Sequence, residues 1–177
     1  MLNIKALCWT FLFLYVRSKL CCLEKGDDFL RKQILNAMTV DVEDFFHVSA
    51  FESIIEPSQW KDYQPIVDAH TRRLLVLFAK HDVKSTFFVL GWVAERYPEL
   101  ISEIHRQGHE IASHGYAHRR VTQQNRDEFF DDVKRSKDHL ENLVGERITG
   151  YRAPSFSIGY DSEWAFEVLA ELDFGYS

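Results

Sequence analysis

Cysteine is scarce in this chain of 177 residues and is confined to its beginning. The three cysteines are Cys8, Cys21 and Cys22, and none follows position 22. A disulfide framework or a thiolate metal site needs several cysteines at suitable spacings, so the main body of the chain has neither. Any metal site there has to be built from histidine and carboxylate side chains.

An excess of positive charge is also missing. The 27 acidic residues outnumber the 21 lysines and arginines, which gives a formal net charge of −6. A protein without a basic surface has little attraction for phosphate backbones, so nucleic acid is excluded as the main partner. With 46% hydrophobic and 27% charged residues, the composition is that of a globular protein.

Residues 1–33 differ from the rest, and we expect them to form a leader outside a single domain at residues 34–177. The apolar run at 6–16 is short for a bilayer span but suits the core of a signal peptide or an anchor. Alternatively, these residues are an upstream extension, and translation starts near Ile34 or Met38. Membrane association is expected only through this leader.

From residue 36 onward, the hydrophobic pattern alternates between strand and helix periods. Strands are predicted at 36–42, 85–90, 109–113 and 149–153, a fifth begins at 174, and helical patterns separate them. This alternation predicts an α/β fold with right-handed crossovers and a parallel sheet, either open or closed into a barrel. Functional side chains are then expected where the strands end.

Two histidines follow the predicted third strand. His114 and His118 are four residues apart, so both imidazoles share a face if this segment turns helically. Such a pair supplies two nitrogen ligands to a zinc-class ion, but a catalytic site needs a third protein ligand. By itself the spacing is weak evidence, because the chain has eight histidines.

Candidates for that third ligand follow the first strand. Asp41 and Glu43 share a strand face, whereas Asp44 points elsewhere unless the chain bends. One carboxylate can complete a metal site and another can act as general base. The alternative is a solvated acidic loop. Apolar neighbours place these acids against a core, where they require a cationic partner: Val40, Val42, Phe45 and Phe46.

Arg152 ends the predicted fourth strand and supplies one such cation. It either forms a structural ion pair with an acid or orients the base and keeps its pKa low, and both interpretations predict contact with Asp41. Pro154 is expected to shape the turn, and Tyr151 and Phe156 to line a pocket wall unless they only pack. His47, which follows the acidic cluster, is a further candidate pocket residue.

In this order, the three clusters resemble the motifs of the polysaccharide deacetylases, the NodB-homology domain of carbohydrate esterase family four. That family carries Thr-Phe-Asp-Asp after its first strand, His-(Ser/Thr)-x-x-His after the third and Arg-x-(Pro)-(Tyr/Phe) after the fourth. Segments 39–41, 114–118 and 152–156 match in order and spacing, within a resemblance that covers residues 35–177. More narrowly, segment 39–46 is similar to the bacterial branch of exopolysaccharide and exosortase loci, with its allantoinase-like and peptidoglycan deacetylase-like members.

The resemblance implies metal-dependent hydrolysis of a non-peptide amide bond. The expected reaction removes the acetyl group from an acetylated amino sugar in a polysaccharide and releases acetate. The implied ion is Zn²⁺, although Co²⁺ or Ni²⁺ fits the same ligands. His114, His118 and a carboxylate would hold the ion, Asp41 would take a proton from water, and Arg152 would hold Asp41. An N-acetylated glycan is the expected partner.

The chain departs from the family pattern at two places. Asp41-Val42-Glu43-Asp44 replaces the adjacent Asp-Asp pair, so Glu43 and Asp44 remain alternatives for the ligand. The late Leu-x-His motif, whose histidine is the family's general acid, has no counterpart before Ser177. We therefore expect a partial (β/α) barrel without its C-terminal strands, which is weak or inactive if these residues are the whole protein.

Two other functions stay open. One is hydrolysis of a cyclic amide, as in the allantoinase-like branch, and the other is an inactive fragment that binds glycan or metal only. The bacterial resemblance predicts a cytoplasmic location if the leader is an upstream extension, and the cell envelope if it is a signal or anchor. The oligomeric state is left open.

Overall fold

The computed structural model describes residues 37–177, so the predicted leader lies outside the described residues. A parallel sheet contains β1 (Thr39–Val42), β2 (Thr86–Val89) and β3 (Glu110–Ser113), in the order β1-β2-β3. The strands are paired in register, with Asp41 opposite Phe88 and Phe88 opposite Ala112. Their carboxyl ends therefore reach the same edge of the sheet, as parallel pairing requires.

Helices connect these strands and confirm the predicted parallel α/β fold. The crossover from β1 to β2 contains α1 (Val67–Lys80), and the crossover from β2 to β3 contains α2 (Gly91–Arg96) and α3 (Pro98–Arg106). After β3 come α4 (Arg126–Val144) and α5 (Trp164–Glu171). Short 3₁₀ turns occupy Ser49–Phe51, Pro57–Asp62, Val121–Gln123, Pro154–Phe156 and Tyr160–Ser162.

The ends of α4 follow directly from its sequence. Asn125 caps the start: its side chain accepts from the backbone N–H of Glu128, whose own carboxylate accepts from the N–H of Asn125. Gly145 ends the helix with φ of 72°, a left-handed conformation that glycine adopts without steric cost. Both ends of this long helix are therefore fixed, and so is its register against the sheet.

Two apolar clusters form the core, and α4 contributes to both. The larger cluster lies between the sheet and α1 to α3 and includes Leu75, Phe87 and Leu140. The smaller cluster surrounds Tyr151 and includes Phe129 of α4 and Val168 of α5. Because α4 packs against α2, α3 and α5, it links the two halves of the described chain.

The predicted fourth and fifth strands are not regular strands. Tyr151 forms a single parallel bridge with Ser113, and Gly150 forms one with Tyr176. The pairing next to β3 consists of the N–H of Ser113 donating to Gly150 and the N–H of Arg152 donating to Ser113. It stops there because Pro154 has no N–H and begins a 3₁₀ turn.

The structure also bears on the membrane. Within residues 37–177, no helix combines the length and the apolar character that a bilayer crossing requires.

Truncation of Leu140 is expected to destabilise the fold far more than truncation of Leu77. Leu140 is fully buried, whereas Leu77 is 49% exposed. Leu140→Ala leaves a cavity and should lower the free energy of unfolding by about 2–5 kcal/mol. Leu77→Ala, the matched control, should change it by less than about 0.5 kcal/mol. Urea denaturation measures both, and equal losses would contradict the assignment of α4 to the core.

Candidate metal centre

The two histidines after β3 meet at the carboxyl edge of the sheet, although not for the predicted reason. Residues 114–120 form a loop rather than a helical turn. Gly115 and His118 have φ values of 76° and 51°, and these left-handed conformations fold the loop back on itself. The ring centroids of His114 and His118 are 5.2 Å apart as a result, and both side chains are buried.

Glu43 completes a group of three with these histidines. It follows β1 immediately, and its Oε2 lies 3.1 Å from Nε2 of His118 and 3.9 Å from Nε2 of His114. One ligand atom from each of the three residues lies within 4.8 Å of the others. Two imidazole nitrogens and one carboxylate oxygen are a common set of protein ligands for catalytic zinc, which leaves a further position open.

Burial dominates the electrostatics of this group. Burial, together with the smaller effect of the nearby carboxylates of Asp41 and Asp44, raises the pKa of Glu43 to about 8. Burial lowers the pKa of His118 to about 3, with a smaller contribution from His114, and it also lowers the pKa of His114. Both imidazoles are thus held in the neutral form that binds metal, and the buried acid lacks a compensating positive charge.

Hydrogen bonds fix which atoms of the group are available. Nδ1 of His114 lies 2.8 Å from the backbone oxygen of Arg152, and a carbonyl only accepts, so Nδ1 carries the proton. The lone pair of His114 is therefore on Nε2, which faces Glu43. Oε2 of Glu43 is buried and has no hydrogen-bond partner among residues 37–177. The three residues fit a zinc-class divalent ion.

Asp41 and Arg152 form an ion pair beside this group, as both interpretations of the sequence predict. Nη1 of Arg152 lies 2.5 Å from Oδ1 of Asp41, and the two side chains are only 13% and 10% exposed. Arg152 crosses from the segment beside β3 to β1, over the face of β2. One carboxylate at the edge of the sheet is thereby neutralised and held in a single position.

Two residues that hold Arg152 are not among the site residues predicted from the sequence. Thr39 accepts a hydrogen bond of 2.9 Å from Nη2, and the ring of Phe88 lies under the guanidinium at 3.9 Å. Thr39 could have been found, because it shares the strand face of Asp41 by the period of two. Phe88 could not, since its contact depends on the pairing of β2 with β1.

Asp44 and His47 contribute no atom to the group of Glu43, His114 and His118. Oδ1 of Asp44 accepts from the backbone N–H of Ile66 at 2.9 Å, because the chain turns after β1 and directs this side chain away. Burial raises the pKa of Asp44, and backbone hydrogen bonds oppose the shift. His47 is packed among aromatic rings, which accounts for its burial: Phe46, Trp60 and Trp92.

His47, the further candidate pocket residue, lies in this aromatic cluster. Its Nδ1 accepts from the backbone N–H of Asp44 at 2.8 Å, and burial lowers its pKa to about 3. The imidazole of His47 is therefore neutral, and it packs within this aromatic cluster.

Two of the remaining predicted pocket residues, Tyr151 and Phe156, line a groove of about 490 Å³ beside Arg152. Phe156 lines it and is 59% exposed. Tyr151 also borders it, but its side chain is 1% exposed and packs edge-on against Phe129 and Phe174. Pro154 is buried and begins the 3₁₀ turn, as expected for a residue that shapes the chain there.

The chain is similar to known polysaccharide deacetylases. The polysaccharide deacetylase family model matches residues 61–174. A peptidoglycan-N-acetylglucosamine deacetylase of Bacillus cereus is 33% identical over 98 residues, which are 55% of this chain and 36% of that protein. A chitin deacetylase of Arthroderma benhamiae is 32% identical over 110 residues, which are 59% of this chain and 29% of that protein. The chain thus spans about a third of the length of these relatives.

Solved structures show the same fold. A Mycobacterium smegmatis structure assigned to the polysaccharide deacetylases has a TM-score of 0.62 and 30% identity, and covers 78% of this chain and 48% of its own. A Bacillus anthracis pseudoenzyme of carbohydrate esterase family four has a TM-score of 0.58 at 22% identity over 62% of this chain and 38% of its own, which supports the fold alone. The α/β fold is thus a partial (β/α) barrel of the NodB-homology type. The chain belongs to the polysaccharide deacetylase family.

Proposed function

We propose that this chain carries the metal centre and the general base of a deacetylase that hydrolyses the N-acetyl group of an amino sugar in a glycan. The observation that carries the proposal is the buried group of Glu43, His114 and His118 beside the ion pair of Asp41 and Arg152. The names of the relatives supply the substrate class, since they act on peptidoglycan and chitin. We take residues 34–177 as one deacetylase domain.

In this proposal Glu43, and not Asp44, is the third metal ligand. Glu43 is the acid whose oxygen faces both Nε2 atoms, whereas Asp44 accepts a hydrogen bond from a backbone amide. Zn²⁺ is the ion we propose, and Co²⁺ or Ni²⁺ suits the same donors. When bound, such an ion supplies Lewis acidity, which polarises an acetyl carbonyl and makes water more acidic.

Asp41 is proposed as the general base. Its second carboxylate oxygen is free to take a proton from the attacking water, since Oδ1 is held by Arg152. Arg152 acts as a positioning residue, because its guanidinium is fixed by Thr39 and Phe88 as well as by Asp41. Phe156, which follows Arg152 closely in the chain and is 59% exposed, is the proposed contact for the sugar.

The proposed reaction is tested by acetate release from the metal-loaded chain. The chain, loaded with one equivalent of Zn²⁺, is incubated with chitin oligosaccharides and with peptidoglycan fragments, and acetate is measured enzymatically. We expect slow release, because the general acid implied by the family resemblance is not among these residues, and this release should stop with a chelator and resume with zinc. Zinc binding without acetate from either glycan would contradict the proposed reaction and favour a protein that binds only.

Loss of Glu43 is expected to abolish zinc binding, whereas loss of the charge on Asp44 is not. Glu43→Gln should weaken Zn²⁺ affinity by more than about 100-fold, beyond the usual effect of residues that only support ligands. Asp44→Asn is the matched control, since its side-chain oxygen can still accept from Ile66. Competition titration against a fluorescent chelator measures both affinities. The reverse order would show that Asp44 is the ligand.

Asp41→Asn is expected to separate catalysis from metal binding. Removal of a general base should lower kcat by about 10² to 10⁴-fold, while the zinc content stays at one per chain. Asp161→Asn, at an exposed acid remote from the group, should change neither quantity. Acetate release and elemental analysis are measured on the same preparations. An unchanged kcat in Asp41→Asn would remove this residue from the mechanism.

A further inference from the structure

Asp132 lies on the face of α4 that is turned toward the sheet, among the buried side chains of Phe129, Val133 and Ser136. Its Oδ2 accepts a hydrogen bond of 2.8 Å from the backbone N–H of Tyr116. The backbone N–H of Ala117 also donates to this carboxylate. One acidic side chain thus binds two consecutive peptide units in the loop that joins His114 to His118.

That loop has an unusual conformation. Gly115 and His118 are both left-handed, and for a residue other than glycine this region is sparsely populated. A conformation of this kind persists only where surrounding contacts determine it. It is also the conformation that brings the two imidazole rings together.

Contacts from both sides hold the loop. On one side, the first backbone N–H groups of α2 donate to its carbonyls: Gly91 to Gly115 at 2.9 Å, and Trp92 to Tyr116 at 3.0 Å. On the other side, Asp132 accepts from its amides. The carbonyls and the amides of the same peptide units are therefore fixed by two different helices.

The space around Asp132 shows how closely α4 approaches the loop. A Cβ atom added at Gly115 would lie 2.9 Å from Oδ2 of Asp132. Ser136, one turn later on α4, bonds Ser113 at 3.0 Å, and Ser113 in turn accepts from the N–H of Gly115. Glycine at 115 thus serves both the left-handed turn and the close approach of the carboxylate.

We propose that Asp132 is a positioning residue for the metal centre, which fixes the peptide units of Tyr116 and Ala117 and thereby holds His118 against Glu43 and His114. This role rests on the proposed function. Asp132 contributes no atom to the group of three ligands. Burial raises the pKa of Asp132, and the two backbone hydrogen bonds oppose that shift.

Two variants of Asp132 test this role, with Asp131→Ala as the matched control on the neighbouring, exposed position of α4. Asp132→Ala removes both acceptors, and Asp132→Asn keeps one oxygen. Hydrogen exchange of the Tyr116 and Ala117 amides is measured on the metal-free chain, with the β2 amides as internal reference. Zn²⁺ affinity is measured by competition, and the Co²⁺ absorption spectrum reports the ligand geometry.

In Asp132→Ala we expect the two loop amides to exchange faster while the β2 amides do not. Zn²⁺ should bind about 10 to 100-fold more weakly, as for residues that orient metal ligands, and the Co²⁺ bands should shift. Asp132→Asn should lie between this variant and the parent chain. Asp131→Ala should match the parent chain in every measurement.

The outcomes separate this role from the proposed function. If both amides in Asp132→Ala exchange as slowly as in the parent chain and the Zn²⁺ affinity is unchanged, the proposed role of Asp132 is overturned. A parent chain that binds no Zn²⁺ would refute the proposed function, and the exchange of the two amides would then decide by itself whether Asp132 holds the loop. If Asp132→Ala does not fold, as judged by circular dichroism, the same measurements on Asp132→Asn decide.

Discussion

The placement of three carboxylates within four residues is the constraint on which the rest of the site depends. Asp41, Glu43 and Asp44 are all removed from water to a large extent, and a buried carboxylate needs a partner. Each is accommodated differently: Asp41 by the guanidinium of Arg152, and Asp44 by backbone hydrogen bonds from Ile66 and Val67. Glu43 faces only two neutral imidazoles, and a divalent cation among these three side chains would supply the missing positive charge.

Part of this arrangement could be predicted from local periodicity alone. The period of two in a strand places Asp41 and Glu43 on one face, and the structure turns both toward the carboxyl edge of the sheet. By the same rule the side chain of Asp44 points away from that face, and its carboxylate accepts a hydrogen bond from the backbone N–H of Ile66. Glu43 and Asp44 remained alternatives because Asp41-Val42-Glu43-Asp44 replaces the adjacent Asp-Asp pair of the family, and the period of two applies only as far as the strand continues without a bend.

The two histidines lie close together, as the sequence predicts, but through a different geometry. A spacing of four suggests one turn of helix, but His114 and His118 lie on a loop with two left-handed residues. What the spacing could not indicate is the set of contacts that makes this loop possible. Those contacts come from the start of α2 and from Asp132 of α4, which is one of several acids on that helix. Asp132 differs from Asp131 in lying on the face of α4 that packs against the sheet. The sequence alone does not show which face this is, because it depends on how the helix packs.

Arg152 contributes to both parts of the proposed chemistry, the general base and the metal group, through its side chain and its main chain respectively. Its side chain holds Asp41, while its backbone oxygen binds Nδ1 of His114 and so determines that Nε2 carries the lone pair. The N–H of the same residue donates to Ser113, next to His114, which fixes the backbone of Arg152 relative to β3. The orientation of the proposed metal-binding nitrogen therefore depends on the main chain, and the position of the proposed base depends on the side chain. The short pairing of segment 150–152 with β3 sets both, so this irregular segment governs the site as strongly as the regular strands do.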